Sequence, residues 1–300
     1  MSRRTIVIAL AVGVVSLMTL AGIALVAVLV VRGEGGLALG DRIAVIEIDG
    51  LIEDDEWYLK QIRRFRRDPS VKGFLITINS PGGLVGPAQS LYWEFRRLRE
   101  EGYPVVAAIG AVGASGGYYV ALGADSIFVL PGSLTGSIGV IMELPDVSAL
   151  LRKVGVEMQV VKSADHKDTG TMYRPLSPED REVLNALVSD VYEQFVEAVA
   201  EERGIPAEEV RQLADGRIYS GRQALERGLV DRIGNMQDAL AAVGRMAGLG
   251  EDPRLVRQPP EVEFTLLDLL LGRGATSSLT RLVGPLEQAG EPRLKFVVPF

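Results

Sequence analysis

Residues 107–119 read Ala-Ala-Ile-Gly-Ala-Val-Gly-Ala-Ser-Gly-Gly-Tyr-Tyr. An apolar run that begins at Val105 predicts a buried strand, and a helical run begins at about Gly117. Between them lies Ser115, flanked by glycines that permit a tight turn and the close approach of a ligand. A serine at such a corner has an accessible hydroxyl near the free N–H groups of a helix, as a nucleophile requires. The alternative is that Ser115 only caps the helix.

Strands and helices alternate on both sides of this corner. This alternation predicts an α/β fold with a largely parallel sheet that helices cover on both faces. The predicted strands are 42–48, 71–78, 105–109, 126–129 and 158–161. The predicted helices are 53–67, 87–100, 178–203, 207–213, 222–227 and 236–246, and residues 131–140 are predicted to form a loop.

A second corner of small residues, Ser-Pro-Gly-Gly at 80–83, also follows a buried strand. In parallel sheets ligands bind beyond the carboxyl ends of the strands, so both corners are expected at one edge. There the N–H groups of Gly83 and Gly116 can form an oxyanion hole. The rival interpretation, a phosphate-binding loop, lacks the Lys-Ser/Thr pair and the G-x-G-x-x-G spacing.

A nucleophilic serine also needs a base. The candidates are His166, which is the only histidine, and a lysine with a depressed pKa, for which residues 162–168 offer Lys162 and Lys167. A triad of Ser115, His166 and a nearby aspartate is also conceivable. For Lys167 the competing interpretation is an ordinary solvated charge.

The N-terminus predicts a membrane anchor. Residues 5–31 contain 27 residues without a charge, about 40 Å as a helix, which is enough to cross a core of about 30 Å. Positive charges next to a membrane span stay in the cytoplasm, so Arg3 and Arg4 predict that residues 1–4 are cytoplasmic and that the rest of the protein lies outside the cytoplasm. Residues 32–41 form a glycine-rich linker, 42–250 one catalytic domain, and 251–300 an extension that serves as an interface or a tail.

Composition narrows the function classes. The net charge of −7 argues against a nucleic-acid partner. The absence of cysteine excludes disulfides and thiolate metal sites. Because the chain has one histidine, a metal site built on two or more histidines is impossible within one chain. We therefore expect no metal and no cofactor.

Five blocks of the sequence occur in the order of a known family. The chain resembles the short form of the signal peptide peptidase A family, membrane-anchored Ser-Lys endopeptidases of the crotonase/Clp-protease superfold. The resemblance runs from about residue 42 to 234 and rests on blocks at 79–83, 113–119, 134–140, 162–168, and 215–219 with 228–231.

The resemblance implies a repeated β-β-α core and a role for each matched residue. Ser115 corresponds to the nucleophile, Lys167 to the general base and Ser137 to a hydroxyl that orients this lysine. Gly83 and Gly116 correspond to the oxyanion hole. A neutral amine is required, so burial must lower its pKa from about 10.4. Asp165 and Asp168 are therefore expected to point away from it.

The resemblance further implies a homo-oligomer in which Ser115 and Lys167 of one site come from neighbouring subunits. Its substrates would be remnant signal peptides, and residues 5–31 would hold the enzyme in lipid at the extracytoplasmic side of the cell membrane. Two alternatives use the same superfold. One is a crotonase-type acyl-CoA enzyme and the other is an inactive membrane scaffold.

Overall fold

The computed structural model describes residues 13–22, 40–258 and 294–297. The chain divides into two compact units, Met1–Gly40 and Asp41–Phe300. In the first unit, residues 13–22 are helical. The rest of the predicted anchor 5–31 lies outside the described residues. Within the described ranges, no helix combines the length and the apolar character needed to cross a membrane.

The second unit is built on a mixed, mostly parallel sheet of eight strands. Six strands form the parallel order β10-β1-β2-β4-β5-β9, while β6 pairs parallel with the end of β4 and β8 runs antiparallel to β6. This confirms the α/β class with a largely parallel sheet. The strands are β1 (Arg42–Asp49), β2 (Val71–Ser80), β4 (Val105–Ala114), β5 (Ser126–Val129), β6 (Leu134–Gly136), β8 (Ile218–Ser220), β9 (Arg232–Ile233) and β10 (Arg254–Val256).

A second, three-stranded sheet lies in the order β3-β11-β7. It joins a segment near the C-terminus to one short strand that begins in the 80–83 corner and to another that follows β6 in the chain. Its strands are β3 (Gly82–Leu84), β7 (Ile141–Met142) and β11 (Leu294–Val297).

Helices cover both faces of the large sheet. They are α1 (Glu56–Arg66), α2 (Val85–Glu100), α3 (Gly116–Ala121), α4 (Ser148–Lys153), α5 (Pro178–Arg203), α6 (Ala207–Leu213), α7 (Gly221–Glu226) and α8 (Met236–Met246). Successive side chains of a strand point to opposite faces. Accordingly Ile43 and Val45 of β1 join the cluster packed on α8, and Ile46 joins the larger cluster that contains Phe95 and Phe195.

The helix α5 begins where the sequence predicts. The Ser177 side chain accepts from the Asp180 N–H at 3.0 Å, and the Asp180 carboxylate accepts from the Ser177 N–H at 3.0 Å. Pro178 occupies the first turn, and the helix ends at Gly204 with φ 63°. Such local signals fix helix ends without help from distant residues.

The predicted strand 158–161 is wrong. Residues 155–162 carry no regular secondary structure, and Val156, Met158 and Val160 are exposed. A strand requires a neighbouring strand for its backbone hydrogen bonds, and this segment has no such neighbour within the described part of the chain. The predicted loop 131–140 contains β6, and the large sheet continues past residue 250 through β10.

Candidate active site

Ser115 lies at the sharp corner between β4 and α3 and is 1% exposed. Its backbone adopts φ 52° and ψ −117°, a conformation that costs a residue with a Cβ about 1–3 kcal/mol. The corner is held from both sides. The Ser115 N–H donates to the Gly136 carbonyl at 2.7 Å, and the Tyr119 N–H donates to the Ser115 carbonyl at 2.8 Å. The surrounding hydrogen bonds therefore fix a strained serine at the end of a central strand.

The Ser115 hydroxyl is buried and has no hydrogen-bond partner among the residues that the structure describes. It forms no capping bond to α3. Ser115 occupies the N-cap position of α3, but a capping bond does not account for its hydroxyl. A buried unpaired hydroxyl costs about 1–3 kcal/mol, so its presence calls for a functional explanation.

Ser137 stands beside Ser115 because β4 and β6 run parallel with Ala114 opposite Gly136. Ser115 and Ser137 follow this pair directly, and they are the two non-glycine residues with positive φ in the described ranges. Ser137 is buried, and its N–H donates to the Arg217 carbonyl at 2.9 Å. Its hydroxyl has no partner within the described residues. Two strained serines with unengaged hydroxyls thus share one edge of the sheet.

The two glycine corners meet at this edge, since β2 and β4 are parallel with Ser80 opposite Gly113. A Cβ on Gly116 would lie 3.2 Å from the Gly83 amide nitrogen, so the two backbones border one space. A Cβ on Gly83 would lie 2.1 Å from the Ile52 carbonyl oxygen, so only glycine fits there. The structure therefore brings the two predicted oxyanion donors together next to the corner serine.

A segment near the C-terminus lies against these glycines. β11 pairs antiparallel with β3, where Phe296 lies opposite Gly83, and with β7 on its other edge. The Phe296 carbonyl oxygen would lie 1.8 Å from a Cβ on Gly82 and 3.0 Å from one on Gly116. The Phe296 ring is fully buried and stacks on Tyr119, with 5.1 Å between the ring centroids. An extended backbone thus fits between β3 and β7, with one carbonyl at the glycine corner.

Lys167 is not brought to Ser115 within this chain. It lies on a single 3₁₀ turn, Asp165–Asp168, and is exposed. Its side chain forms no hydrogen bond or ion pair with any described residue, and the Ser115 hydroxyl likewise has no partner. His166 is also exposed on this turn. The structure therefore gathers Ser115, Ser137, Gly83 and Gly116, and leaves both basic candidates of the turn at the surface.

Lys162 and Asp168, next to Lys167 in the chain, are engaged with other groups. The Lys162 amine donates to an Asp168 carboxylate oxygen and to the Asp165 carbonyl, each at 2.8 Å. Arg174 contacts both Asp168 carboxylate oxygens, at 3.0 and 3.2 Å. Hydrogen bonds from Arg174, and then from Lys162, hold the pKa of Asp168 well below its usual value. Both charges are thus paired with groups other than Lys167.

Two contributors to the site have no signal in the sequence: the Ile52 backbone that packs against Gly83, and Arg174. Residues 294–300 have the pattern of a strand, but the sequence does not tell whether this strand docks, and the structure shows that β11 does. For metal binding, no cluster of three or more His, Asp or Glu residues with suitable spacing occurs in residues 13–22, 40–258 and 294–297.

Comparison with known proteins connects this site to a family of enzymes. The model described as Peptidase family S49 matches residues 97–250. A putative protease of Synechocystis sp. is 38% identical over 268 residues, which cover 86% of this chain and 91% of that protein. A putative signal peptide peptidase SppA of Enterococcus faecium is 40% identical over 183 residues, 61% of this chain and 53% of that protein. A chloroplastic serine protease SPPA of Arabidopsis thaliana is 31% identical over 223 residues, 74% and 33% of the respective chains.

Proposed function

The chain belongs to peptidase family S49 and is a serine peptidase of the signal peptide peptidase type, and from this premise we propose that Ser115 and Lys167 form its catalytic dyad. Gly83 and Gly116 serve as the oxyanion hole, and Ser137 orients the lysine. The crotonase/Clp-type core is part of the same proposal. It is supported by two strands, β2 and β4, that each end in a glycine corner.

The reaction follows from these roles. Neutral Lys167 accepts the proton of the Ser115 hydroxyl while the serine oxygen attacks the peptide carbonyl carbon. The carbonyl oxygen takes the negative charge, and the N–H groups of Gly83 and Gly116 stabilise it. Lys167 then gives its proton to the leaving amine as the C–N bond breaks, and an acyl-enzyme forms. A water molecule, deprotonated by the same lysine, hydrolyses that ester and regenerates Ser115.

One observation carries the peptidase function furthest, and it is the position of β11. A protease holds its substrate as an added strand, with main-chain hydrogen bonds to an exposed edge. β11 pairs with β3 in this manner, and its Phe296 carbonyl lies at the Gly82 and Gly116 corner. The groove between β3 and β7 therefore fits an extended peptide beside Ser115. An acyl-CoA enzyme has no use for such a groove.

Lys167 acts on Ser115 of a neighbouring subunit. This is supported by the unpartnered hydroxyl of Ser115, by the buried Ser137 beside it and by the exposed turn that carries Lys167. The exposed apolar residues Val156 and Val160, just before that turn, offer a surface that a second copy would cover.

Co-expression of two inactive variants tests the dyad and its arrangement. Ser115→Ala and Lys167→Ala should each abolish cleavage of a hydrophobic peptide, whereas the controls Ser126→Ala and Lys153→Ala should retain it. Sites between subunits should recover about a quarter of wild-type activity in a random equimolar mixture. Activity of either single variant would refute the dyad. A completely inactive mixture of co-assembled variants would refute its sharing.

The cellular setting is also part of the proposal. Residues 5–31 anchor the enzyme in the cell membrane with the catalytic domain outside the cytoplasm, and the substrates are remnant signal peptides. The uncharged run and Arg3-Arg4 support this. Deletion of residues 1–31 should release the protein from the membrane fraction. A protease added outside spheroplasts should digest the full-length protein, and protection from it would refute the orientation.

A further inference from the structure

The turn that carries Lys167 is fastened to the start of α5 by a network of charged side chains. Arg174 lies between two carboxylates and contacts Asp168 and Asp180. The Thr169 hydroxyl donates to the Asp180 carboxylate at 2.6 Å, and Lys162 donates to Asp168 at 2.8 Å. Asp180 is almost fully buried, with 4% of its side chain exposed. The network thus ties residues on both sides of Lys167 to one buried carboxylate.

Asp180 is itself fixed by helix structure. Its carboxylate accepts from the Ser177 N–H in the capping box of α5, so it cannot move without disturbing that helix end. Arg174 is planar and presents several donors in a fixed fork, which suits it to two carboxylates at once. The turn therefore takes its position from a long helix that packs in the core.

The network also balances charge beside the amine that must be neutral. It contains two cations, Lys162 and Arg174, and two anions, Asp168 and Asp180. Without Arg174 the net charge of this group would fall from zero to −1. An added negative charge near an amine favours its protonated form and raises its pKa. Less of the base would then be in its neutral, active form at neutral pH.

We propose that Arg174 is a positioning residue for the peptidase reaction: it anchors the Lys167 turn to α5 and engages the Asp168 carboxylate, so that this negative charge is compensated next to the lysine. This inference rests on the proposed dyad. The other charged groups on the Lys167 turn are Asp165 and His166, and Glu179 at the start of α5 interacts with His166. At the Ser115 half of the site, which Lys167 would enter, Arg217 lies next to Ser137 and is paired with Asp215.

The test is the pH dependence of kcat/KM, whose acid limb reports the base of the free enzyme. Arg174→Met should move this limb to higher pH by about half to one unit, because it leaves excess negative charge. Asp168→Asn should move it to lower pH by a similar amount. The double variant should return it to the wild-type position. A residue with a merely structural role would lower kcat without moving the limb.

Arg174→Lys separates the two parts of the role. It keeps the positive charge but loses the forked geometry of the guanidinium, so the acid limb should stay in place while kcat falls severalfold.

Two outcomes would overturn the inference. One is an acid limb that does not shift in Arg174→Met, and the other is shifts of the same sign in Arg174→Met and Asp168→Asn. Lys167→Ala, measured in parallel, keeps the outcomes apart. If that variant is active, the dyad is wrong. If it is inactive and the limb does not move, only the role of Arg174 is wrong. Should Arg174→Met fail to assemble, Asp168→Asn alone still tests the sign.

Discussion

The corner at Ser115 lies at the end of a central strand and is bonded to its neighbours on both sides, whereas residues 154–168 run along the surface with a single 3₁₀ turn. The corner is buried and strained, and the segment before Lys167 exposes Val156, Met158 and Val160. The Ser115 half of the proposed site is thus preorganised within one subunit, whereas the Lys167 half lies on the surface. In the proposed arrangement, the nucleophile would lack its base until a second subunit supplies Lys167.

The largest effect is expected from crowding the preorganised half. Gly83→Ala places a Cβ 2.1 Å from the Ile52 carbonyl oxygen and should displace the proposed oxyanion donor. We expect kcat to fall by about 10²–10³. Gly86→Ala is the matched control, because a Cβ there meets no atom within 4 Å, and it should retain activity. Equal rates in both variants, measured with a fluorogenic hydrophobic peptide, would show that the rigid corner is not the oxyanion site.

Changes in the exposed segment before Lys167 should reduce activity by a different route, through loss of the subunit contact. In extended chain, Val156, Met158 and Val160 point to one side, so Val156→Asp with Val160→Asp charges the proposed contact surface. Activity should fall about ten- to a hundredfold and the assembly should dissociate, because unpaired charges are costly to bury. The melting temperature of the subunit should change little.

Glu157→Gln, which changes a charge between these valines, is the control and should leave mass and activity unchanged. Light scattering and the peptide assay together decide the outcome. A double variant that stays assembled and active would show that this segment lies outside the subunit contact.

A moderate effect is expected where β11 lies in the groove. Removal of residues 294–300 frees the edge of β3 for substrate, so KM should fall roughly threefold to tenfold, since a tethered segment competes at high local concentration. A synthetic peptide of residues 292–300 should then inhibit the shortened enzyme competitively. An unchanged KM would show that β11 and the substrate do not share this groove.

The smallest effect is expected from low pH, which should weaken the charged network of Asp168, Arg174 and Asp180. Hydrogen bonds hold the pKa of Asp168 and Asp180 below their usual values, led by those from Arg174. Groups whose pKa is lowered by folding stabilise the native state above their unfolded pKa, about 3.9, and lose this contribution as the pH falls below it. The backbone amides of residues 162–177 should therefore lose protection from hydrogen exchange below about pH 4, while those of the Ser115 corner stay protected. Asp168→Asn should remove part of that pH dependence.

Much of the fold could be predicted because its signals are local. The strands β2, β4 and β5 follow from continuous apolar runs, and α5 from Ser177, Pro178 and Gly204. The glycines next to Ser115 predict the corner between strand and helix. The glycine corners predict Ser115, Gly83 and Gly116, and the family resemblance adds Ser137. The parallel register then places these residues at one edge of the sheet.

The failures have one cause. Residues 158–161 have the apolar pattern of a strand, but a strand exists only when another strand pairs with it. β11 has a similar pattern and pairs with β3 and β7. Nothing in either stretch tells which of the two will find a partner, since pairing depends on residues far away in the chain.

The sequence by itself determined the α/β class, the glycine corner with its serine, and the charged segment around Lys167, because each depends on neighbours in the chain. Only the tertiary structure decided that Ser137 stands beside Ser115, that β11 lies in the groove, and that Lys167 remains apart from the serine. These relations arise from strand register and from burial. Both are settled by packing between distant segments, where the free energy of a contact depends on what else is already in place.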